Sequence, residues 1–524
     1  MNNTIIKSLF QHTISMSKFI FLITFIDMLI YHSPFYKYAI SNLNIDSING
    51  LLTFFSVLVS LFTVTAFLLF LIAAILPSIM KVFAIIIFLC NSLALYFVNT
   101  YNVILDKTMM SNVFNTNMSE ATSYYDPKIF LYIVFLGILP SLFISKIKIE
   151  KAKRVRLVAY ALSTAAIGVF IMYLNATTWL WLDKNAKILG GLSMPWSYSI
   201  NAIRYIRTEL KKDNKQILLP KANFLDNNKM LVVLVIGESA RAADFSLYGY
   251  KRETNPQLKK QDILVLKNST STATYTTASI HSMLSYTGSD SDSYEPLPNY
   301  LQREGVDVIW RTNNWGAPPL HVKSFEEAGE LKKSCKGDGC DYDEVLLTNL
   351  DKEILSSKKN KIFVVLHTAG SHGPTYYKKY PKKFEIFKPV CKSVDLKECT
   401  NQELINAYDN TILYTDYFLN KTINTLKKLK NIPVLLIYAS DHGESLGEYG
   451  LYLHGTPYSI APDVQKHIPF ILWESKSFIK EKGFKTPYVK RQNSYGQNDI
   501  FHTILGAFDL RSSIYNKQYD LLEK

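Results

Sequence analysis

Charged residues are scarce in this chain, 19% of 524 residues against roughly a quarter in an ordinary soluble domain. Cysteine, at 5, and glycine, at 22, are also few, and no internal repeat or low-complexity tract is present. So few cysteines exclude a disulfide-built miniprotein, and so few glycines exclude a collagen-like chain. The 48% hydrophobic content excludes disorder. Acidic residues are thinnest early on: up to Asn214 there are 18 Lys and Arg against 9 Asp and Glu, and beyond it 40 against 35. Most of the net charge of +14 therefore gathers where the chain is most apolar. That distribution argues for a membrane and against nucleic acid as the partner.

Five apolar runs occupy this first part: Phe19 to Tyr31, Leu51 to Ile75, Val82 to Val98, Ile129 to Ile144 and Leu157 to Trp179. A spanning helix needs about 20 mostly apolar residues, which the second and fifth runs supply outright and the others reach with their flanks. The first run carries Asp27, and no small-x-small cleavage site follows it, so it reads as a span and not as a signal peptide. Between the fourth and fifth runs, Ser145 to Arg156 holds six basic residues in twelve. Short basic loops stay in the cytoplasm, so five spans export everything after Trp179. Trp179 and Trp181 suit an aromatic belt at the outer interface.

The expected division is a five-span domain over residues 1–182, a linker over 183–225 and an exported domain over 226–524. In the linker, Ile200, Ile203, Ile206 and Leu210 share one helical side while Arg204, Arg207, Lys211 and Lys212 fill the other. Such a helix either lies among lipid headgroups or packs on the soluble domain. Cys90 falls inside the third run, and the other cysteines form two close pairs, Cys335 with Cys340 and Cys391 with Cys399. In an exported domain these read as two disulfides; the alternative is a four-thiolate zinc site, whose spacing only the first pair fits.

From Met230 onward, short β-branched runs alternate with helical patterns, predicting an α/β domain around a mainly parallel sheet. Polar residues follow four of the runs: Gly237-Glu238-Ser239, Arg311-Thr-Asn-Asn314, His367 through His372, and Asp441-His442-Gly-Glu444. Ligands of open α/β sheets bind beyond the carboxyl ends of the strands, so these segments converge on one crevice. Glu238, Asp441 and His442 are donors of the kind that hold Zn²⁺ or Mn²⁺, although each taken singly could be a cap or an ion-pair partner. A run rich in Ser and Thr, Ser269 to Thr277, leads into a helical pattern. A hydroxyl there would sit at a helix N-terminus, where amides suit a phosphate and a metal could make the hydroxyl nucleophilic. Spacing alone does not choose among these hydroxyls.

Several motifs together resemble the phosphoethanolamine transferases, which modify lipid A and related surface glycans in Gram-negative bacteria and include mobile colistin-resistance enzymes. They are Val235-Ile-Gly-Glu-Ser-Ala-Arg241, Leu247-Tyr-Gly-Tyr250, Thr254-Asn-Pro256, the Thr-rich segment, His367-x4-His372-Gly-Pro-Thr-Tyr-Tyr, and Ser440-Asp-His-Gly-Glu444 through His454-Gly. The resemblance runs over nearly the whole chain. It implies an alkaline phosphatase-like or sulfatase-like fold, an inner-membrane anchor and a periplasmic catalytic domain. It also implies zinc ligands at Glu238, Thr276, Asp441 and His442, with Thr276 as the nucleophile, placed by its distance from Met283-Leu284-Ser285. His372 and His454 match residues that bind phosphoethanolamine or a second zinc, and Asn314 a polar substrate contact. The two Cys pairs match disulfides of the family.

The implied reaction takes phosphoethanolamine from phosphatidylethanolamine through a phospho-Thr276 intermediate to lipid A or another surface glycan or protein. The rivals are a transferase or hydrolase of another head group, such as glycerol phosphate, and an inactive membrane-anchored binding protein. This sequence departs from the family where many members bracket the Thr segment with a cystine. Thr272 and Ser282 stand there, which predicts a looser loop.

Overall fold

A computed structural model describes residues 13–116, 118–212, 216–482 and 494–522; the start of the expected membrane domain, residues 1–12, lies outside the described residues. The chain forms two compact units, Met1–Met110 with Tyr125–Tyr205, and Ser111–Tyr124 with Ile206–Lys524.

The first unit is helical. Helices α1 (Met16–Tyr31) and α2 (Ser33–Asn42) meet at a 65° bend, with Pro34 in the first turn of α2. Along the chain then come α3 (Ile48–Ile75), α4 (Met80–Tyr101), α5 (Lys107–Asn115), α6 (Met118–Ser123), α7 (Lys128–Ser145), α8 (Arg154–Leu174), α9 (Ala176–Leu192) and α10 (Trp196–Lys212), of which α6, the end of α5 from Ser111 and the end of α10 from Ile206 fall in the second unit. Helices α3, α4, α7 and α8 are long and apolar enough to cross a membrane, and α1 with α2 makes a fifth crossing if the bent pair counts as one. The fifth apolar run does not continue to Trp179 as one helix: the backbone leaves helical geometry at Asn175, and Trp179 and Trp181 fall on α9.

Small residues let the helices approach closely: a Cβ on Gly168 of α8 would meet Thr63 Oγ1 of α3 at 2.6 Å, and one on Gly137 of α7 would meet Ser92 Oγ of α4 at 2.7 Å. Asp27 is buried among the helices, where Asn91 Nδ2 donates to its Oδ1 at 2.6 Å and Tyr198 OH donates to Asn91 Oδ1 at 2.9 Å. The strand Thr13–Ser15 pairs in parallel with Lys148–Glu150, and Lys81 Nζ donates to Ile147 O at 2.6 Å. The turn between α3 and α4 and the basic loop thus share one end of the bundle with the strand that precedes α1. An even number of crossings must separate them, which counts α1 with α2 as one.

The second unit is built on a seven-stranded sheet of β1 (Met230–Gly237), β2 (Ile263–Val265), β3 (Asp307–Thr312), β4 (Ser324–Glu327), β5 (Lys361–His367), β6 (Val434–Ser440) and β7 (Phe470–Glu474), in the order β2-β7-β6-β1-β5-β3-β4. The five strands from β6 to β4 run parallel, β7 pairs antiparallel with β6, and β2 pairs antiparallel with β7. Every residue of β1, β5 and β6 is buried, which explains why the sequence shows continuous apolar runs there and no alternation. Inward residues such as Val232, Leu234, Val308, Phe363 and Ile437 join helix residues Ile280, Met283 and Ile504 in one core. That core leaves the carboxyl ends of four neighbouring strands, β6, β1, β5 and β3, side by side.

Candidate active site

Each of these four strands delivers its polar residues at its last position or just beyond. Glu238 and Ser239 follow β1, Asn313 and Asn314 follow β3, the segment to His372 follows β5, and Asp441 and His442 follow β6. Thr276 is the first residue of α11 (Thr276–Leu284), after Tyr275 in extended conformation. Its Oγ1 donates to Glu238 Oε2 at 3.2 Å and lies 3.4 Å from His442 Nε2. Glu238, Asp441 and His442 have no exposed surface.

Acceptor atoms face one another at this point. His442 Nδ1 lies 2.9 Å from Gly443 O, so that nitrogen carries the ring proton and Nε2 presents a lone pair. His442 Nε2 nevertheless lies 3.2 Å from Asp441 Oδ2 and 3.5 Å from Glu238 Oε1. Asp441 Oδ1 accepts from Ser239 N and His442 N, while Oδ2 is buried with no hydrogen-bond partner. Burial and then the charge of Glu238 push the Asp441 carboxyl well up, whereas at Glu238 the imidazoles of His442, His372 and His454 outweigh burial and hold it below its usual range. Burial and the neighbouring His454 bring His442 down to about 4. Two buried carboxylates, an imidazole lone pair and a hydroxyl around one point fit a divalent cation, with the orphaned Asp441 Oδ2 as the clearest mark of it.

His454 adjoins this set. Glu238, His442 and His454 each bring one ligand atom within 4.8 Å of the others. Its ring centroid is 4.2 Å from that of His442 and 5.4 Å from that of His372. Glu444 Oε2 lies 2.8 Å from His454 Nδ1, and Glu444 Oε1 accepts from Tyr376 OH at 2.6 Å. Burial raises Glu444 to about 8. Asn314, expected at the substrate, turns its Nδ2 to Glu238 Oε2 at 2.7 Å and to Thr368 O at 3.1 Å.

Some participants carried no signal in the sequence. Ser239 sits inside a recognised motif, yet only the structure shows its left-handed backbone (φ 54°), with Oγ donating to Glu238 Oε1 at 2.7 Å and N donating to Asp441 Oδ1 at 3.0 Å. Ser111 reaches to within 3.4 Å of Thr277 Oγ1. With α6 it belongs to the second unit, and Met118, Thr122 and Ser123 help line a cavity of about 760 Å³ beside Asn314 and His372. The structure contains the disulfides Cys335–Cys340 and Cys391–Cys399, and Cys90 is free.

A sheet whose strand ends carry a buried hydroxyl, two carboxylates and imidazoles defines a hydrolase or transferase of the sulfatase fold, and the Sulfatase family model matches residues 230–510. A second model, Phosphoethanolamine transferase EptA/EptB, matches residues 61–210. Phosphoethanolamine transferase EptA of Helicobacter pylori is 41% identical over 505 residues, 94% of each chain. Phosphatidylethanolamine transferase Mcr-1 of Escherichia coli is 31% identical, over 76% of this chain and 79% of its own. Among solved structures, the integral membrane lipooligosaccharide phosphoethanolamine transferase A of Neisseria meningitidis superposes with a TM-score of 0.88 at 28% identity, covering 98% of this chain and 99% of that one. The chain belongs to the phosphoethanolamine transferase family.

Proposed function

We propose that this enzyme carries phosphoethanolamine from phosphatidylethanolamine to lipid A, or to another surface glycan or protein, through a phosphoester on Thr276. Zn²⁺ would be held by Glu238, Thr276, Asp441 and His442. The observation that carries the reading is the meeting of Thr276 Oγ1 with Glu238 Oε2 and His442 Nε2 at the first residue of α11, next to the orphaned Asp441 Oδ2. The names of two relatives supply the donor and acceptor classes, phosphatidylethanolamine for Mcr-1 and lipooligosaccharide for the Neisseria protein.

When bound, Zn²⁺ offsets charge on the phosphoryl oxygens and favours the ionised hydroxyl. In the first displacement Thr276 Oγ1 bonds to phosphorus and releases to solvent the proton it shares with Glu238 Oε2, because a carboxylate held below its usual range does not keep one. The bond from phosphorus to the glycerol oxygen breaks, and diacylglycerol leaves with a proton from His372 or His454. An acceptor oxygen then attacks phosphorus and returns a proton to the imidazole, and Thr276 leaves, regaining its proton from solvent. One hard displacement becomes two.

The catalytic unit is assigned to the periplasmic side of the bacterial inner membrane. The basic loop marks the cytoplasmic end of the bundle, and five crossings carry the chain to the other face. The two disulfides suit that oxidising compartment. In this reading residues 1–182 anchor, 183–225 link and 226–524 catalyse. Ile200, Ile203 and Ile206 of α10 are exposed beside Arg204 and Arg207, which favours a place among lipid headgroups.

The test is incubation of the full-length protein with phosphatidylethanolamine labelled in its head group. Label is expected on Thr276 and absent in Thr276→Ala. Label persisting in the variant overturns the nucleophile, and none in the wild type favours an inactive binding protein.

A further inference from the structure

Asp343 lies outside every motif above and comes from the segment that follows the Cys335–Cys340 disulfide. It is 5% exposed, and its carboxylate accepts three hydrogen bonds from two separate strand-end loops. Oδ1 takes Asn313 Nδ2 at 2.8 Å and Ala369 N at 2.7 Å, and Oδ2 takes Gly370 N at 3.0 Å. The first donor precedes Asn314, whose amide bonds Glu238. The other two begin the turn that ends at His372.

That turn has little freedom of its own. Gly370 has φ +45°, and a Cβ there would meet Glu238 O at 2.6 Å and Glu238 N at 2.9 Å, so the chain crosses directly over the backbone of Glu238. Ser371 N donates to Glu238 O at 2.9 Å just beyond the crossing. Asp343 in turn sits on an anchored segment: the disulfide closes one side, and on the other Arg311 Nη1 donates to Leu346 O at 2.9 Å and to Thr348 O at 2.7 Å. A side chain without the second carboxylate oxygen leaves Gly370 N without this acceptor, and a shorter one leaves Ala369 N without it as well.

We propose that Asp343 is a positioning residue for the transfer reaction: it clamps the loops after β3 and β5 together and so sets Asn314 and His372 around Glu238. The functional part of this rests on the roles given above to Asn314 and His372. Partners that orient the groups of such a site typically change turnover by about 10–100-fold when removed. In Asp343→Asn the oxygen at Oδ1 remains, but an amide nitrogen comes to face Gly370 N, donor against donor.

The experiment uses the full-length protein with phosphatidylethanolamine and combines kinetics, thermal melting and amide hydrogen exchange. Asp343→Asn is expected to melt within a few degrees of the wild type. Exchange at Ala369 and Gly370 should rise at least about tenfold while the sheet amides stay protected. In the same variant kcat should fall about tenfold or more with KM for the donor little changed. An unchanged kcat, or a loss of protection spread across the sheet, overturns the proposal. If Asp343→Asn does not fold, Asn313→Ala, which removes one of the three bonds and leaves those of Ala369 and Gly370, is read by kinetics: a fall in kcat with KM little changed supports the clamp, and an unchanged kcat overturns it. A wild type that takes no label on Thr276 sinks the transfer chemistry instead, while the local exchange still reports on the clamp.

Discussion

Thr272 Oγ1 and Ser282 Oγ are hydrogen-bonded across 2.8 Å, spanning the segment that carries Thr276. These are the two positions where many relatives are expected to hold a cystine, so a hydrogen bond ties the loop in its place. The Ser282 hydroxyl donates to Gly288 O at 2.6 Å, which leaves Thr272 Oγ1 as the donor between the pair, and Thr272 N donates to Gln497 Oε1 at 2.9 Å, so the loop that looked loose in sequence is held at several points.

Replacing Ser282 with Ala removes both of its bonds and is expected to cost about 1–2 kcal/mol of stability. The double variant Thr272→Cys, Ser282→Cys should form a third disulfide, and oxidation should raise the melting point relative to its own reduced form by the equivalent of roughly 2–3 kcal/mol. Thiol titration and melting curves with and without reductant check both outcomes. An oxidised variant that melts no higher than the reduced one would show that the loop is already as constrained as a cystine makes it.

Ser239 separates catalytic arrangement from backbone stability. Glycine relieves the left-handed conformation at φ 54° but deletes the hydroxyl that holds Glu238 Oε1. Ser239→Gly should therefore melt close to the wild type yet lose about tenfold or more in turnover. Ser239→Val keeps the backbone demand and adds a β-branch, so it should cost roughly 1–3 kcal/mol as well. Equal turnover in Ser239→Gly and the wild type would sink this role.

Asp416 supplies a pH signature remote from the site. Its carboxylate accepts from Gln257 N and Leu258 N, each at 2.9 Å, and burial raises it to about 7. The folded state then keeps the proton to higher pH than the unfolded chain does. The contribution to stability is fully present below about pH 4 and is lost as pH rises towards 7, by at most about 4 kcal/mol. Asp416→Asn does not titrate, so the stability difference, wild type minus variant, should fall between pH 4 and 7 and level off above 8. A difference that is flat with pH means burial does not shift this group.

In the membrane unit, Asn91→Ala deprives Asp27 Oδ1 of its donor and Tyr198 OH of its acceptor. A buried group left unpaired costs about 1–3 kcal/mol, so the variant should unfold at lower denaturant than the wild type in detergent. Asp27→Asn in the same background should recover part of the loss, because it lightens the polar burden within the bundle.

The parts of this molecule that can be read from sequence are those whose cause is local. Strands β1, β5 and β6 announce themselves because burial on both faces demands a nearly continuous apolar run, and the polar residues just past each run stand out against it; β3 shows by its Val-Ile-Trp centre. The spans show for the same reason. The edge strands β2 and β4 are three and four residues long and only partly buried, so their composition resembles loop. The bend between α1 and α2 and the helix end at Asn175 depend on packing that no short window contains. Glu444, Ser239 and Asp343 act through partners as far off as His454, Asp441 and Ala369, and nothing in their neighbours' identity records those contacts. The membership of Ser111–Tyr124 in the catalytic unit is of this kind too, since the segment lies between two spans in sequence.

The pairing of Thr13–Ser15 with Lys148–Glu150 also bears on the order of assembly. The strand before α1 is made well ahead of its partner, which emerges only after α3, α4 and α7. The end of α1 that carries this strand is therefore fastened only once α7 has been made, so that the hairpin of α7 and α8 closes back on α1.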